Sequence, residues 1–184
     1  MTYNYDPELA QMLEFLPEGA IDFSDVKSTR ASFKEMTAAL NAELDTTGVH
    51  VENREIPGPE GAPPVPVRLY TPENLEGQVP GLIHFHGGGF AVGDLDAEMG
   101  SCIGLCLSLG VVIVSVDYRL APETPYPGGL EDCYAALLWT HDNHGLLRVD
   151  RERIALIGLS AGAGLSAATA LLARDRNGPP LCFQ

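Results

Sequence analysis

Positive charge is scarce in this sequence. Of its 184 residues, 11 are lysine or arginine and 25 are aspartate or glutamate, so the formal net charge is −14 at pH 7. Nucleic acids and anionic membrane surfaces bind proteins through positive patches. The balance of charges therefore argues against nucleic acid or an anionic membrane surface as a partner.

Long apolar runs are also missing. No stretch reaches the roughly 18 consecutive apolar residues that indicate a transmembrane helix, so we expect no membrane span. The first residues, MTYNYDPELAQ, contain neither the basic nor the apolar segment of a secretory signal peptide. These two absences favour a cytoplasmic protein.

The cysteines form no C-x-x-C motif. Cys102, Cys106, Cys133 and Cys182 all lie in apolar segments. This setting favours buried free thiols in a reducing compartment over a disulfide framework. Cys102 and Cys106 would share one helix face, but no histidine lies beside them to complete a metal site. We therefore expect neither a metal nor another cofactor.

What the sequence does contain is a regular alternation of strand and helix patterns. Its length and its apolar fraction of 45% suit one soluble domain. The run at 111–116 is dominated by valine and isoleucine, which is typical of a strand buried on both faces of a parallel sheet. The predicted strands from His84 onward are 81–86, 111–116 and 154–157, and the predicted helices are 96–109, 130–144 and 163–174. This order predicts an α/β fold with a mostly parallel sheet and helices on both faces.

Two helical patterns precede the first strand. One covers 6–16 and begins with Asp6 and Pro7, a typical helix cap followed by proline in the first turn. The other covers 24–44, and its apolar stripe is predicted to contain Val26, Phe33, Met36, Ala39 and Leu40. Two strands, at 49–56 and 65–70, follow. We therefore divide the chain into N-terminal helices (1–47) and an α/β core (48–184).

The stretch Gly158-Leu159-Ser160-Ala161-Gly162 joins the last complete strand to the last helix. A G-x-S-x-G sequence between a strand and a helix is the pattern of a nucleophile elbow, in which the glycines leave room for neighbouring backbone. The first amides of the helix would then point towards the serine, where negative charge develops. The alternative interpretation of these five residues is a tight turn with a helix-capping serine.

A second glycine-rich motif, His86-Gly87-Gly88-Gly89, follows the strand at 81–86. Attack on an ester carbonyl places negative charge on its oxygen, and each preorganised backbone N–H contributes roughly 3 kcal/mol to stabilising that charge. Consecutive glycines let the backbone approach a substrate and turn its amides inward. A flexible glycine turn and a phosphate-binding loop are the alternatives, although no G-K-[ST] follows.

Taken together, four stretches resemble the hormone-sensitive-lipase-like family of α/β-hydrolase esterases. They are HFHGGGF (84–90), VDYRLAPETPYP (116–127), EDCYAALLW (131–139) and GLSAGAGL (158–165). The resemblance covers about residues 50–184. It implies an α/β-hydrolase fold, a cap made by the N-terminal helices over an acyl pocket, and a small-molecule acyl ester of short to medium length as the substrate. The sequence departs from the family at Leu159, where an acidic residue is usual, and at Ala163, where a glycine is usual.

The resemblance also implies a role for each site residue. Ser160 would be the nucleophile, Gly88, Gly89 and Ala161 would donate the amides of the oxyanion hole, His86 and Gly87 would support the loop, and Gly158 and Gly162 would shape the elbow. Tyr118, Arg119 and Glu123 would support the sheet and the loop without taking part in the chemistry.

No histidine follows Ser160 in this sequence. In the family, the catalytic acid and histidine come after the nucleophile, whereas here only one acidic residue follows, Asp175 at the end of the predicted helix. The five histidines all precede the serine: His50, His84, His86, His141 and His144. We interpret His84 and His86 as loop or core residues and assign none of the five as general base. A serine without a base is a poor nucleophile near neutral pH.

The leading hypothesis is therefore a carboxylic ester hydrolase whose catalytic Asp and His lie beyond this chain. We expect the sheet to be incomplete at its C-terminal side, where residues 181–183 begin another strand, and we expect the 184 residues alone to be inactive. An open sheet edge would need a partner, such as the missing part as a separate chain or a homo-oligomer. The alternatives are a non-catalytic, receptor-like module that binds a small ligand and an inactive truncated fragment.

Overall fold

A five-stranded sheet forms the centre of the computed structural model, which describes residues 5–8, 10 and 22–184. The strands are β1 (Val49–Ile56), β2 (Val65–Pro72), β3 (Val79–Phe85), β4 (Val112–Val116) and β5 (Val149–Gly158). Their order across the sheet is β1-β2-β4-β3-β5. The pairs β1–β2 and β2–β4 are antiparallel, whereas β3 is parallel to both β4 and β5. The parallel part predicted from His84 onward is confirmed.

Helices cover both faces of this sheet. They are α1 (Val26–Asn41), α2 (Met99–Leu109), α3 (Gly128–Asp142), the single turn α4 (His144–Leu147) and α5 (Ala161–Asp175). The core under α3 and α5 includes Phe85, Leu137 and Leu165, and a second cluster on the other face includes Tyr70 and Cys102. All five residues of β4 are buried between the two clusters, as expected for a central strand. None of the helices in the described ranges is long and apolar enough to cross a bilayer.

The second of the two predicted N-terminal helices is present as α1, but its buried face differs from the prediction. The first, at 6–16, lies mostly outside the described residues, although Asp6 does cap the amide of Glu8. In α1, Met36 and Leu40 are exposed rather than buried, and the buried positions are Thr29 and Thr37. The predicted apolar stripe is therefore wrong at Met36, Ala39 and Leu40, which are exposed, whereas Val26 and Phe33 are half-buried. The reason is that the inner face of α1 rests partly on backbone carbonyls of neighbouring loops, which accept hydrogen bonds from polar side chains.

The last residues run beside β5, as predicted for the start of a further strand. The amide of Cys182 donates to the Ile154 carbonyl at 2.9 Å, and the amide of Leu156 donates to the Phe183 carbonyl at 3.1 Å. Phe183 remains 75% exposed. Cys182 is also exposed, which contradicts the expectation that all four thiols are buried; Cys102, Cys106 and Cys133 are buried and free.

Candidate active site

Ser160 lies on the sharp turn between β5 and α5. Its backbone has φ 54° and ψ −115°, an unfavourable conformation for a residue other than glycine, and such a residue costs roughly 1–3 kcal/mol. The side chain is exposed and makes no capping hydrogen bond to α5. This geometry contradicts the alternative that Ser160 is a helix-capping serine in an ordinary turn.

The two glycines of the elbow are required by close backbone contacts. A side chain on Gly158 would collide with the carbonyl group of Gly162, and one on Gly162 would collide with the carbonyl oxygen of Phe85. Since Phe85 ends β3, the second contact presses the start of α5 onto the end of the neighbouring strand. The elbow thus depends on the absence of side chains at both positions.

The glycine loop leaves the sheet directly beside the elbow. In the parallel pairing of β3 and β5, Phe85 is opposite Gly158, so the chain segments that follow them emerge together. A Cβ on Gly87 would lie 3.1 Å from the carbonyl oxygen of Leu159. Gly88 and Gly89 have φ of 122° and 62°, values that favour glycine. The structure therefore brings the two predicted motifs together.

Three backbone amides at this junction have no acceptor among the residues that the structure describes. Within the described residues, the N–H groups of Gly88, Gly89 and Ala161 donate no hydrogen bond. The Ala161 amide also belongs to the first turn of α5, whose N-terminus carries partial positive charge. The arrangement is suited to binding an oxyanion. A phosphate loop is not supported, because α2 begins only at Met99, well after the glycines.

Glu98 anchors the start of the glycine loop and was missed by sequence reasoning. One carboxylate oxygen accepts the Gly87 amide at 2.8 Å, and the other contacts Nε2 of His84 at 2.7 Å. Nδ1 of His84 lies 3.2 Å from the Ser115 hydroxyl. Burial opposes charging of the ring, but Cys102 and Glu98 outweigh it and raise the pKa of His84 to about 9. No local motif marks Glu98, which lies eleven residues after Gly87.

The hydrogen bonds from His84 and from the Gly87 amide favour the ionised form of Glu98. Burial alone would raise the pKa of the Glu98 carboxyl, but the hydrogen bonds from His84 and from the Gly87 amide outweigh burial and hold it below its usual range. A protonated His84 therefore faces an ionised Glu98 inside the fold. The pair orients the loop and does not touch Ser160.

His86 is held as a neutral, buried ring. It stacks on Tyr118 with ring centroids 4.3 Å apart, and its Nδ1 donates to the Gly87 carbonyl at 2.7 Å. Burial lowers the pKa of His86. The Tyr118 hydroxyl in turn donates to the His86 carbonyl at 2.8 Å. His86 and Tyr118 are therefore packed against each other at the start of the glycine loop, and the supporting role of His86 stays a prediction.

The remaining residues of the 118–127 loop also bind structural partners. Arg119 forms a forked ion pair with Asp132, whose side chain is fully buried. Glu123 accepts two hydrogen bonds from Arg30 of α1. The contacts of Arg119 and Glu123 are thus structural, as the resemblance implied.

No general base lies against Ser160 in the described part of the chain. None of the described histidines or carboxylates hydrogen-bonds to its hydroxyl. Asp175 is exposed at the far end of α5 and pairs with Arg174. Likewise, among the described residues no cluster of histidine, cysteine, aspartate or glutamate could hold a metal ion.

An apolar cavity of about 400 Å³ opens beside the elbow. Phe90 follows Gly89 in the glycine loop, and Gly164 and Leu165 lie one turn along α5 from Ser160. The cavity is lined by Phe90, Tyr118, Ala121, Leu130, Gly164 and Leu165, among others. Its size and lining suit a small apolar group.

Comparisons with known proteins show the family to which the chain belongs. A family model described as the α/β-hydrolase fold matches residues 82–184. The carboxylesterase NlhH of Mycobacterium tuberculosis is 39% identical over 181 residues, which are 97% of this chain and 55% of the relative. An arylesterase of Saccharolobus solfataricus is 36% identical over 178 residues, with 92% and 55% covered.

A solved structure is also closely similar. The structure titled "Bacterial Heroin Esterase" matches with a TM-score of 0.92 and 44% identity, covering 97% of this chain and 56% of that one. The chain therefore spans about half the length of the relatives that it matches.

Proposed function

The chain belongs to the hormone-sensitive-lipase-like family of α/β-hydrolases, and we propose that it carries the nucleophile and the oxyanion hole of a carboxylic ester hydrolase. Ser160 is the nucleophile, and Gly88, Gly89 and Ala161 donate to the oxyanion. The observation that carries this proposal is the junction of β3 and β5: a strained, exposed serine stands beside three amides that have no acceptor within the described residues.

In the proposed reaction, Oγ of Ser160 attacks the ester carbonyl carbon while a general base takes the hydroxyl proton. The carbonyl oxygen becomes an oxyanion that accepts hydrogen bonds from the three amides, each contributing roughly 3 kcal/mol to the transition state. Collapse of this intermediate breaks the bond to the alcohol, which leaves with the proton from the base. Water then attacks the acyl-Ser160 ester, and the carboxylic acid is released.

We assign the general base and its acidic partner to residues outside this chain. The support is the absence, within the described residues, of a histidine or carboxylate on the Ser160 hydroxyl. The part of the relatives that this chain does not cover is the expected source of both groups. It is also the expected partner along the exposed side of β5, whether in the same polypeptide or as a separate chain. A homo-oligomer is the alternative partner.

The substrate is proposed to be a small, largely apolar ester. The cavity of about 400 Å³ beside the elbow is lined mainly by aromatic and aliphatic groups, and its arginine, Arg119, is engaged by Asp132. The names of the relatives include a carboxylesterase and an arylesterase. Three buried free thiols and the exposed Cys182 favour a reducing compartment, so we place the enzyme in the cytoplasm.

The test measures hydrolysis of p-nitrophenyl butyrate by the chain alone and by the chain joined to the segment of the mycobacterial relative that lies outside the match. We expect turnover only in the joined protein. Ser160→Ala should lower kcat at least about 1,000-fold, because removing a triad member leaves only binding and the oxyanion hole. Ser108→Ala, an exposed serine on α2, is the matched control and should not change kcat.

Two outcomes would contradict the proposal. Retained turnover in Ser160→Ala would show that Ser160 is not the nucleophile. Saturable binding of the ester without turnover in the joined protein would favour the second candidate function, a receptor-like module for small ligands. The observation in favour of that second candidate is the lack of a base on Ser160 among the described residues.

A further inference from the structure

We propose that Arg30 is a positioning residue for the oxyanion hole: from the N-terminal helix α1, its guanidinium holds the loop that carries Gly88 and Gly89 against the loop that follows β4. This inference rests on the proposed function of those two amides. According to this inference, α1 positions the oxyanion donors through the backbone of the glycine loop. This role is additional to the cap over the acyl pocket that the resemblance implies for the N-terminal helices.

The guanidinium of Arg30 binds four acceptors at once. Nε donates to the Ala91 carbonyl at 2.7 Å, and one terminal nitrogen donates to the Ala121 carbonyl at 2.8 Å. The two terminal nitrogens also bind the two carboxylate oxygens of Glu123 at 2.9 and 2.8 Å. Only a planar fork of N–H donors can satisfy this set, and lysine cannot replace it.

Arg30 bridges two loops that are already in contact. The Ala121 amide donates to the Phe90 carbonyl at 2.9 Å. Arg30 then binds the carbonyl that follows Phe90 in one loop and the carbonyl of Ala121 in the other. The three hydrogen bonds join the end of the glycine loop, the 118–127 loop and α1 into one unit.

Ala91 is linked directly to the catalytic part of the loop. The amides of Ala91 and Val92 both donate to the Gly88 carbonyl, at 3.1 and 2.9 Å. The peptide plane of that carbonyl includes the Gly89 amide, a candidate oxyanion donor. A shift of Ala91 therefore changes the direction in which this donor points. Glu98 and Tyr118 hold the beginning of the loop, whereas Arg30 holds its end.

Other contacts of the N-terminal segment follow the same loop. Phe23 lies so close to Gly89 that a Cβ there would be 2.7 Å from its ring. At the other end of α1, the Asn41 side-chain amide donates to the Asp96 carbonyl at 2.8 Å. Phe23, Arg30 and Asn41 thus contact positions 89, 91 and 96 in the same order along both segments. The helix α1 and the residue Phe23 before it therefore run alongside the loop and contact it at three points.

A plain surface ion pair would not explain these contacts. The Arg30 and Glu123 side chains are 31% and 64% exposed, and such a pair contributes about 0–1 kcal/mol. The hydrogen bonds to Ala91 and Ala121 are what distinguish positioning from simple pairing. Arg30→Lys keeps the charge near Glu123 but loses the fork, so this substitution separates the two explanations.

The first arm of the test measures kinetics of the joined protein described above. Arg30→Lys should lower kcat between tenfold and a hundredfold with little change in KM, because misplaced donors weaken transition-state binding more than ground-state binding. Added methylguanidinium should restore part of the kcat of Arg30→Ala. Arg153→Lys is the matched control, since Arg153 also pairs with a carboxylate, Asp150, but lies in the middle of β5, and its guanidinium reaches the Gln78 carbonyl before the start of β3.

The second arm is hydrogen–deuterium exchange of the 184-residue chain itself. We expect Arg30→Lys to speed exchange at the amides of Ala91 and Val92 at least tenfold and to leave α3 unchanged. Faster exchange at these amides, combined with no esterase activity in the joined protein, would overturn the proposed function and keep the positioning contact. Unchanged exchange at these amides, or an equal loss of kcat in Arg153→Lys, would overturn the role of Arg30.

Discussion

The elbow and the glycine loop lie side by side at the carboxyl ends of β5 and β3, yet they are held in shape by different means. At the elbow, Gly158 and Gly162 let backbone pack on backbone, and the absence of side chains sets the geometry. The glycine loop is held by side chains that reach it from elsewhere, namely Glu98, Tyr118 and Arg30. Both regions should therefore fail when atoms are added at their glycines, but only the loop should also fail when side chains from elsewhere are shortened.

The largest expected effect is at the elbow. Gly162→Ala adds a methyl group where the Phe85 carbonyl lies, so the start of α5 must move away from β3. We expect a loss of roughly 3 kcal/mol or more in the free energy of unfolding, measured by urea denaturation. Gly164→Ala is the matched control in the same helix, because its Cβ would meet the Phe90 ring at an ordinary 3.7 Å. Equal stability of the two variants would contradict the steric argument.

The next effect is at the start of the loop. Glu98→Gln removes the charge that binds the Gly87 amide and His84, and such charge-assisted hydrogen bonds are each worth about 1.5–3 kcal/mol. We expect the free energy of unfolding to fall by about 2 kcal/mol at pH 6. The control is Glu152→Gln, because Glu152 forms an exposed ion pair with Arg151, and this variant should keep its stability.

The same variant tests the pH dependence of stability. Because the pKa of His84 is raised from 6.5 to about 9 in the folded state, its contribution is complete below pH 6.5 and is lost as the pH rises through 9. The unfolding free energy of the original chain should therefore fall over that interval. The decline should be smaller in Glu98→Gln; an identical decline would show that Glu98 does not stabilise the charged ring.

The smallest expected effect concerns Tyr118. Tyr118→Phe keeps the stack on His86 but removes the hydroxyl that donates to the His86 carbonyl. We expect a loss of about 1 kcal/mol in thermal unfolding. Tyr126→Phe, whose side chain is 85% exposed, should leave the melting temperature unchanged. If Tyr118→Phe leaves the melting temperature unchanged, stacking alone holds this part of the loop.

Much of the core was predictable because its signals are local. The strand at 49–56 matches β1 at both ends, and the parallel alternation from His84 onward is confirmed. The G-x-S-x-G and HGGG stretches predict two parts of one site, and the pairing of β3 with β5 places them side by side. The apolar stripe of α1 is wrong at three of its five residues, because hydrophobic periodicity does not reveal a helix that rests partly on carbonyl groups.

The sequence by itself determined the elbow pattern, since it consists of five adjacent residues and the contact of Gly158 with Gly162 lies within them, whereas the contact of Gly162 with Phe85 requires the neighbouring strand β3. It also determined that no histidine follows Ser160. Only the tertiary structure decided what holds the glycine loop, because Glu98 and Arg30 lie 11 and 61 residues from the backbone groups that they bind. Hydrogen bonds across such distances depend on how whole elements are packed, and that packing leaves no local pattern in the chain.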